Sequence, residues 1–321
     1  MTQRMNLRKT SITLTLLLIL LAGSLILSLL TGEIKGWNEM VILHIRLPRA
    51  LLGLVVGIAL ATAGTVYQGL LRNPLADPYI LGTSSAGTFG ALVAAILNYH
   101  FNITVYVFSI GSAFLSMLLV YRIASVQGRT PVQTLILAGV ISSTFFGALV
   151  LLLFTLYRRE SFSILFFLLG SLSGAGSPLL IGISAVLVLI GFGVSMYLAR
   201  DLDAMSSGEE DALHLGIPVE RVKQLLFFSS SLLVGASVSL AGSIGFVGLI
   251  IPHVLRLIVG PSHRRLIPAS AIGGAFFLIL MDVLARTIFS PLEVPVGVFT
   301  SLCGAPFFIY LLKRKQEEMT F

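Results

Sequence analysis

Asp282 and Arg286 stand one helical turn apart in "DVLAR". A second stretch, "RDLDAMSSGEEDALHLGIPVERVK" (200–223), holds six of the chain's fourteen acidic residues: Asp201, Asp203, Glu209, Glu210, Asp211 and Glu220. The i,i+4 spacing lets Asp282 and Arg286 pair, which offsets the cost of a charge inside a membrane. Structural pairing and a functional role are equally open for these two. Other catalytic signals are missing. No G-x4-G-K-[ST] phosphate cradle exists, because none of the lysines (9, 35, 223, 313, 315) follows a glycine. The five histidines (44, 100, 214, 253, 263) form no HExxH, and a lone Cys303 excludes an intrachain disulfide and any CxxC site. His253 has no second ligand spaced to help it hold a metal, so a packing or hinge role is expected. Neither a catalytic centre nor a metal site is expected.

The elements that carry these residues are greasy. The chain is 56% hydrophobic and 11% charged with a mean hydropathy of +0.99, whereas a soluble domain carries about 25% charged residues. That excess of apolar side chains makes lipid the solvent, and it predicts an all-α polytopic membrane protein. Apolar runs of about 20 residues cross a bilayer. They fall at 11–30, 49–71, 79–98, 103–121, 132–156, 178–199, 222–241, 244–259, 266–289 and 295–312, giving about ten transmembrane helices in one domain over 1–321. "FSILFFLLGSLSGAGS" (162–177) reads as a half-helix that does not cross. The first run is too long for a signal peptide and lacks a cleavage site after it, so an uncleaved helix with its N-terminus inside is expected. That topology leaves 15 basic residues inside and 6 outside, the asymmetry expected of cytoplasmic loops. Both termini and the acidic stretch are then cytoplasmic. The net charge of +7 follows from those loops and points to no nucleic acid. "GIALATAG" (57–64) and "GASVSLAG" (235–242) share G-x5-A-G on helices expected to run in opposite directions. An inverted repeat and chance recurrence in Gly/Ala-rich sequence both account for it.

The acidic stretch has local structure of its own. Ser207 and Glu210 read as a capping box, and Glu209, Glu210 and Asp211 lie where the helix dipole favours acids. Gly216 is placed to end a helix of about two turns (208–215), and Pro218 to open the next. Its apolar residues Ala212, Leu213 and Leu215 are too few to span anything. A solvated loop is one reading; a docking element for a soluble partner fits the capped, clamped shape better.

The chain resembles the permease subunits of bacterial ABC importers for iron–siderophores, haem and vitamin B12. The stretches that carry the resemblance are "RLPRALLGLVVGIALATAGTVYQGLLRNPLADPYILGTSSAG" (46–87), "LILAGV" (135–140), "SSGEEDALHLGI" (206–217), "AGSIGFVGLIIPHVLRLIVGPSHRRLIP" (241–268), "DVLAR" (282–286) and "PLEVPVGVFTSLCGAPFFIYLL" (291–312). The resemblance implies two permeases, here a homodimer, around a central path in the bacterial cytoplasmic (inner) membrane. Two copies of a separate ATPase, binding ATP and Mg, would dock beneath them, and a substrate-binding protein would deliver cargo from outside. Lipid surrounds the assembly, and this chain itself needs no cofactor. The resemblance makes 206–217 a coupling-helix pair, with Ser207, Gly208, Glu209, Glu210, Asp211, Ala212, Leu213, Leu215 and Gly216 facing the ATPase. It makes Arg46, Arg49 and Arg286 contacts for carboxylates on the binding protein; the plainer alternative is that they anchor helix ends at the interface. "NPLADP" (73–78) is a rigid turn, and the family's inner gate falls near "GRTPVQT" (128–134) without residue assignments. A ferric siderophore is the first expectation for the cargo, with haem and cobalamin open. An ion-coupled carrier working without an ATPase is the rival reading, disfavoured by the scarcity of acids within the membrane.

Overall fold

The computed structural model describes residues 2–32, 39–97, 102–157, 167–173 and 177–319. Each of the ten apolar runs falls on a helix. Seven of these are long and apolar enough to cross a bilayer, and the helices at Thr83–Ile96, Val247–Val259 and Val296–Ile309 are shorter. The elements are α1 (Thr2–Leu30), α2 (Leu47–Leu70), α3 (Thr83–Ile96), α4 (Asn102–Ala124), α5 (Val132–Leu156), α6 (Pro178–Tyr197), α7 (Ala199–Ser207), α8 (Glu209–His214), α9 (Val219–Ala241), α10 (Val247–Val259), α11 (His263–Thr287) and α12 (Val296–Met319). A π-helical turn, Ile42–Arg46, leads into α2. Half of the stretch 162–177, where a half-helix is expected, lies outside the described residues; of the described ones, 167–169 are helical.

α2 is apolar on every side and nearly all its residues are buried, as a central helix should be. It packs on α9, α10 and most closely on α11. Small residues permit that approach: a methyl added at Gly57 would overlap the Gly274 carbonyl, and one at Gly64 the Gly248 carbonyl. Without a hydrophobic drive between helices in lipid, such backbone-to-backbone packing is the main source of cohesion. α1 packs on α11 and otherwise presents leucines and isoleucines outward.

The two short helices α3 and α10 have a common cause. With 14 and 13 residues at about 1.5 Å rise each, the regular helix is about 20 Å long in both, and each follows a stretch where the helix is broken. Before α3, the Asp77 carboxylate accepts the Tyr79 N–H (2.8 Å) and caps the 3-10 turn Pro78–Leu81, and Gly82 adopts φ +78°. Before α10, Gly242 (φ +70°) ends α9 and Phe246 (φ +69°) starts the next helix. The two breaks are tied together: the Tyr79 hydroxyl accepts the Ile244 N–H at 3.0 Å, and Asp77 also accepts the Phe246 N–H. Irregular backbone at membrane depth survives where protein groups satisfy it.

The G-x5-A-G echo sits on antiparallel helices, since the end of α2 and the start of α9 meet the same residue, Glu209. The two copies differ in effect. α2 continues through Gly64, whereas α9 stops at Gly242.

Candidate functional sites

Charged side chains gather at the two ends of α2, which are about 36 Å apart at 1.5 Å per residue over its 24 residues. At the island end, α7 is an amphipathic helix whose Leu202 and Met205 are buried. It runs through Ser207, so that residue is helical and caps nothing. The expected capping box is therefore not formed: Gly208, in extended backbone (φ 172°), precedes α8 and no side chain caps it. The other end of α8 follows the expectation. Gly216 takes φ +79°, its N–H bonds the Leu213 carbonyl (2.9 Å), and the Ile217 N–H reaches back to Ala212 (3.1 Å). This is a Schellman closure, which needs a left-handed residue that glycine supplies without strain. Pro218 then stands at the N-cap of α9.

Half of the six acids at this end are spent within the chain. Glu209 pairs with Lys223 (2.6 Å) and Arg72 (3.3 Å). Glu220 pairs with Lys223 (3.1 Å) and accepts both the N–H and the hydroxyl of Thr130 (3.0 and 2.8 Å). Asp203 clasps the start of α11, accepting the His263 N–H (2.7 Å) and the Ser262 hydroxyl (2.9 Å) and meeting His263 Nδ1 at 2.6 Å. Burial pushes the Asp203 carboxyl up, but the hydrogen bonds and charge of His263, with Ser262, outweigh it and hold it below the usual carboxylate range. Of the nine residues expected to face a partner, Ala212 is fully buried and Glu209 is turned inward to its two cations. Ser207, Glu210, Asp211, Leu213, Leu215 and Gly216 are exposed, and His214 joins them; Gly208 is half-buried. Leu213 at 55% and Leu215 at 73% exposure form an apolar pair beside two free-facing carboxylates.

At the other end, Arg46, Arg49 and Arg286 come together, and all three are buried at 4–6% exposure. They do not project as surface contacts. Arg49 holds Asp282 through Nε (3.0 and 3.1 Å) and Nη2 (2.9 Å), and reaches Glu293 through Nη1 at 2.8 Å. Arg286 donates to the Ser28 carbonyl and hydroxyl (2.7 and 2.8 Å), and Arg46 to the Leu29 and Leu30 carbonyls (2.7 and 3.2 Å). The i,i+4 contact between Arg286 and Asp282 is the looser one, at 3.7 Å. A cavity of about 150 Å³ opens among Arg46, Arg49, Arg286, Glu293, Gly32 and Val41. Glu293, between two prolines in "PLEVP", is the member that sequence reading left without a role; an acid in so apolar a stretch was the available signal.

His253 packs edge-on against Phe307, its ring 6.4 Å from that of Phe307 and of Phe308.

Residues 10–314 match the model of the FecCD transport family. The chain belongs to that family. As a FecCD-family transport permease it is 38% identical over 322 residues to the hemin transport system permease protein HmuU of Yersinia pestis, covering 95% of each chain. It is 42% identical over 280 residues to the cobalamin import system permease protein BtuC of Halobacterium salinarum, covering 87% of this chain and 74% of that one. Among solved structures it resembles an inward-facing ABC transporter assigned to the metal-chelate type. There the TM-score is 0.86 at 34% identity, over 95% of this chain and 99% of the other.

Proposed function

We propose that this permease is the membrane path of an ATP-driven importer in a bacterial cytoplasmic membrane, with both termini cytoplasmic, and that it carries a bulky metal chelate. Two copies pair around the path, and a separate ATPase docks at the island end. The observation that carries this reading is the exposed set Glu210, Asp211 and Leu213 on α8 with Leu215 at its end, anchored from behind by the ion pair of Glu209 with the buried Lys223. A solvated loop has no need of such an anchor, and an apolar pair rimmed by carboxylates suits a protein partner. The chain has no phosphate cradle of its own, so the partner supplies ATP hydrolysis. Hemin and cobalamin, named for two relatives, support a chelate as cargo; ferric siderophore, haem and cobalamin are the compounds to test.

The arginine end meets a substrate-binding protein. Arg46, Arg49 and Arg286 line the cavity of about 150 Å³ there, a recess in which guanidinium groups can donate charge-assisted hydrogen bonds to a partner's carboxylate. The test of the whole reading is co-purification of the ATPase chain with Leu213→Asp/Leu215→Asp. The complex is expected to be lost while the permease stays folded in the membrane. An unchanged complex overturns the reading.

A further inference from the structure

We propose that Lys223 is the positioning residue that ties the docking helix α8 to the start of α5. This rests on the reading of α8 as the ATPase dock and identifies how movement there reaches the rest of the permease.

Lys223 is 4% exposed, although it lies one turn into a helix whose start faces an aqueous end. Its ammonium has three donors, and three acceptors surround it: Glu209 Oε2 at 2.6 Å, Glu220 Oε1 at 3.1 Å and the Thr130 carbonyl at 3.1 Å. Each acceptor belongs to a different element: α8, α9 and the turn before α5. Two carboxylates (Glu209, Glu220) face two cations (Lys223, Arg72), so the cluster is charge-balanced.

Thr130 is the last residue before Pro131, which caps α5. Both of its backbone polar groups are taken by this cluster: its N–H donates to Glu220 and its carbonyl accepts from Lys223. Proline has no N–H and a fixed φ, so orienting the Thr130 peptide sets the direction in which α5 departs. The preceding turn is stiff as well. Val126 and Arg129 exchange both backbone hydrogen bonds (2.8 and 3.0 Å) across Gln127 and Gly128, both at positive φ, the geometry of a tight hairpin turn. A shift of α8 therefore moves Glu209, then Lys223, then the Thr130 peptide. No slack loop intervenes to absorb the shift. α5 packs on α3, α4 and the Pro78–Leu81 turn, and Gln133, Leu137, Val140, Ile141 and Thr144 form an exposed face along it.

The experiment uses the assembled transporter in proteoliposomes and reads chelate moved per ATP hydrolysed. Lys223→Met is expected to lower that ratio about tenfold, the scale of coupling changes along such networks, with the ATPase still bound. Lys223→Arg restores part of the ratio, and Asp201→Asn, outside the cluster, leaves it unchanged. An unchanged ratio in a folded Lys223→Met transporter overturns the proposal, and so does loss of the ATPase from it, which would make Lys223 part of the dock itself. If Lys223→Met does not fold, Glu209→Gln decides: it removes the ion pair to α8 but leaves Lys223 with Glu220 and Thr130, and an unchanged ratio there is equally fatal. Failure of the wild-type permease to bind the ATPase sinks the functional reading instead, a separate outcome from any of these.

Discussion

Removing Arg49 alone should destabilise the fold far more than removing Arg49 and Asp282 together. The two side chains are 7% and 2% exposed and share three contacts of 2.9–3.1 Å across 233 residues of sequence. Arg49→Met leaves a carboxylate buried with Arg286, at 3.7 Å, as its one ion-pair partner among the described residues. Stranding one partner of a buried pair costs about 3–5 kcal/mol, or two to four orders of magnitude in the folded-to-unfolded ratio. Asp282→Leu leaves Arg49 with Glu293 and Arg286 with its hydrogen bonds to Ser28, one buried carboxylate short, at similar cost. Arg49→Met/Asp282→Leu removes both charges of the pair together, leaving Arg286 on its Ser28 hydrogen bonds and Glu293 partly in contact with solvent, and apolar replacement of a whole buried pair is often close to neutral. The double variant should therefore lie above both single variants. The assay is reversible unfolding in bicelles for all four proteins, read as a double-mutant cycle. Single losses that simply add, or single losses below about 1 kcal/mol, where exposed pairs fall, would refute the claim that this pair is desolvated and mutually dependent.

Asp203 makes stability depend on acid. Its carboxyl is held below the usual range in the folded chain, so its contribution is present above the ordinary carboxylate pKa and is lost as pH falls through the lowered folded value; the melting temperature should drop on acidification in the wild type and less so in Asp203→Asn. Gly64→Ala should cost about 1–3 kcal/mol from overpacking, because the added methyl meets the Gly248 carbonyl, while Gly111→Ala, with nothing near it, should be close to silent; equal melting temperatures for the two would count against close α2–α10 packing.

The features that were legible in sequence are those that depend on local backbone or on runs of apolar residues. The ten helices follow from hydropathy, because each must satisfy its own backbone in lipid. Gly216 and Pro218 were legible because a left-handed closure and a fixed φ are properties of single residues. The capping box at Ser207 was not, although Ser-x-x-Glu is a sound local signal. Leu202 and Met205 bury one face of α7 and carry the helix through Ser207, and this tertiary contact overrides the cap. Asp282 was assigned its neighbour on the helix, yet its close partner is Arg49, which only the packing of α2 against α11 brings near. Lys223 carries no signal in sequence beyond being a basic residue beside the acidic stretch; its burial arises from α8 and the Thr130 turn folding over it.

The two ionic clusters lie at opposite ends of one pair of helices. α2 carries Arg49 at its start and Arg72 just beyond its end, where Arg72 reaches Glu209. α11 starts at His263, clasped by Asp203, and ends at Asp282 and Arg286. Between the clusters Gly57 meets Gly274 with no side chain separating the backbones. Such an interface has little room to slide, since close-packed atoms transmit strain instead of absorbing it. On the proposed reading, a push at the arginine end would reach the island end through α2 and α11 as one frame, and a change of shape would fall to helices attached to it less closely. α5 fits that description, being held at its start through the single peptide of Thr130. On the proposed reading, the glycines of the frame and the buried lysine answer one mechanical requirement: a stiff connection between the two proposed docking ends, with α5 attached to it at a defined point.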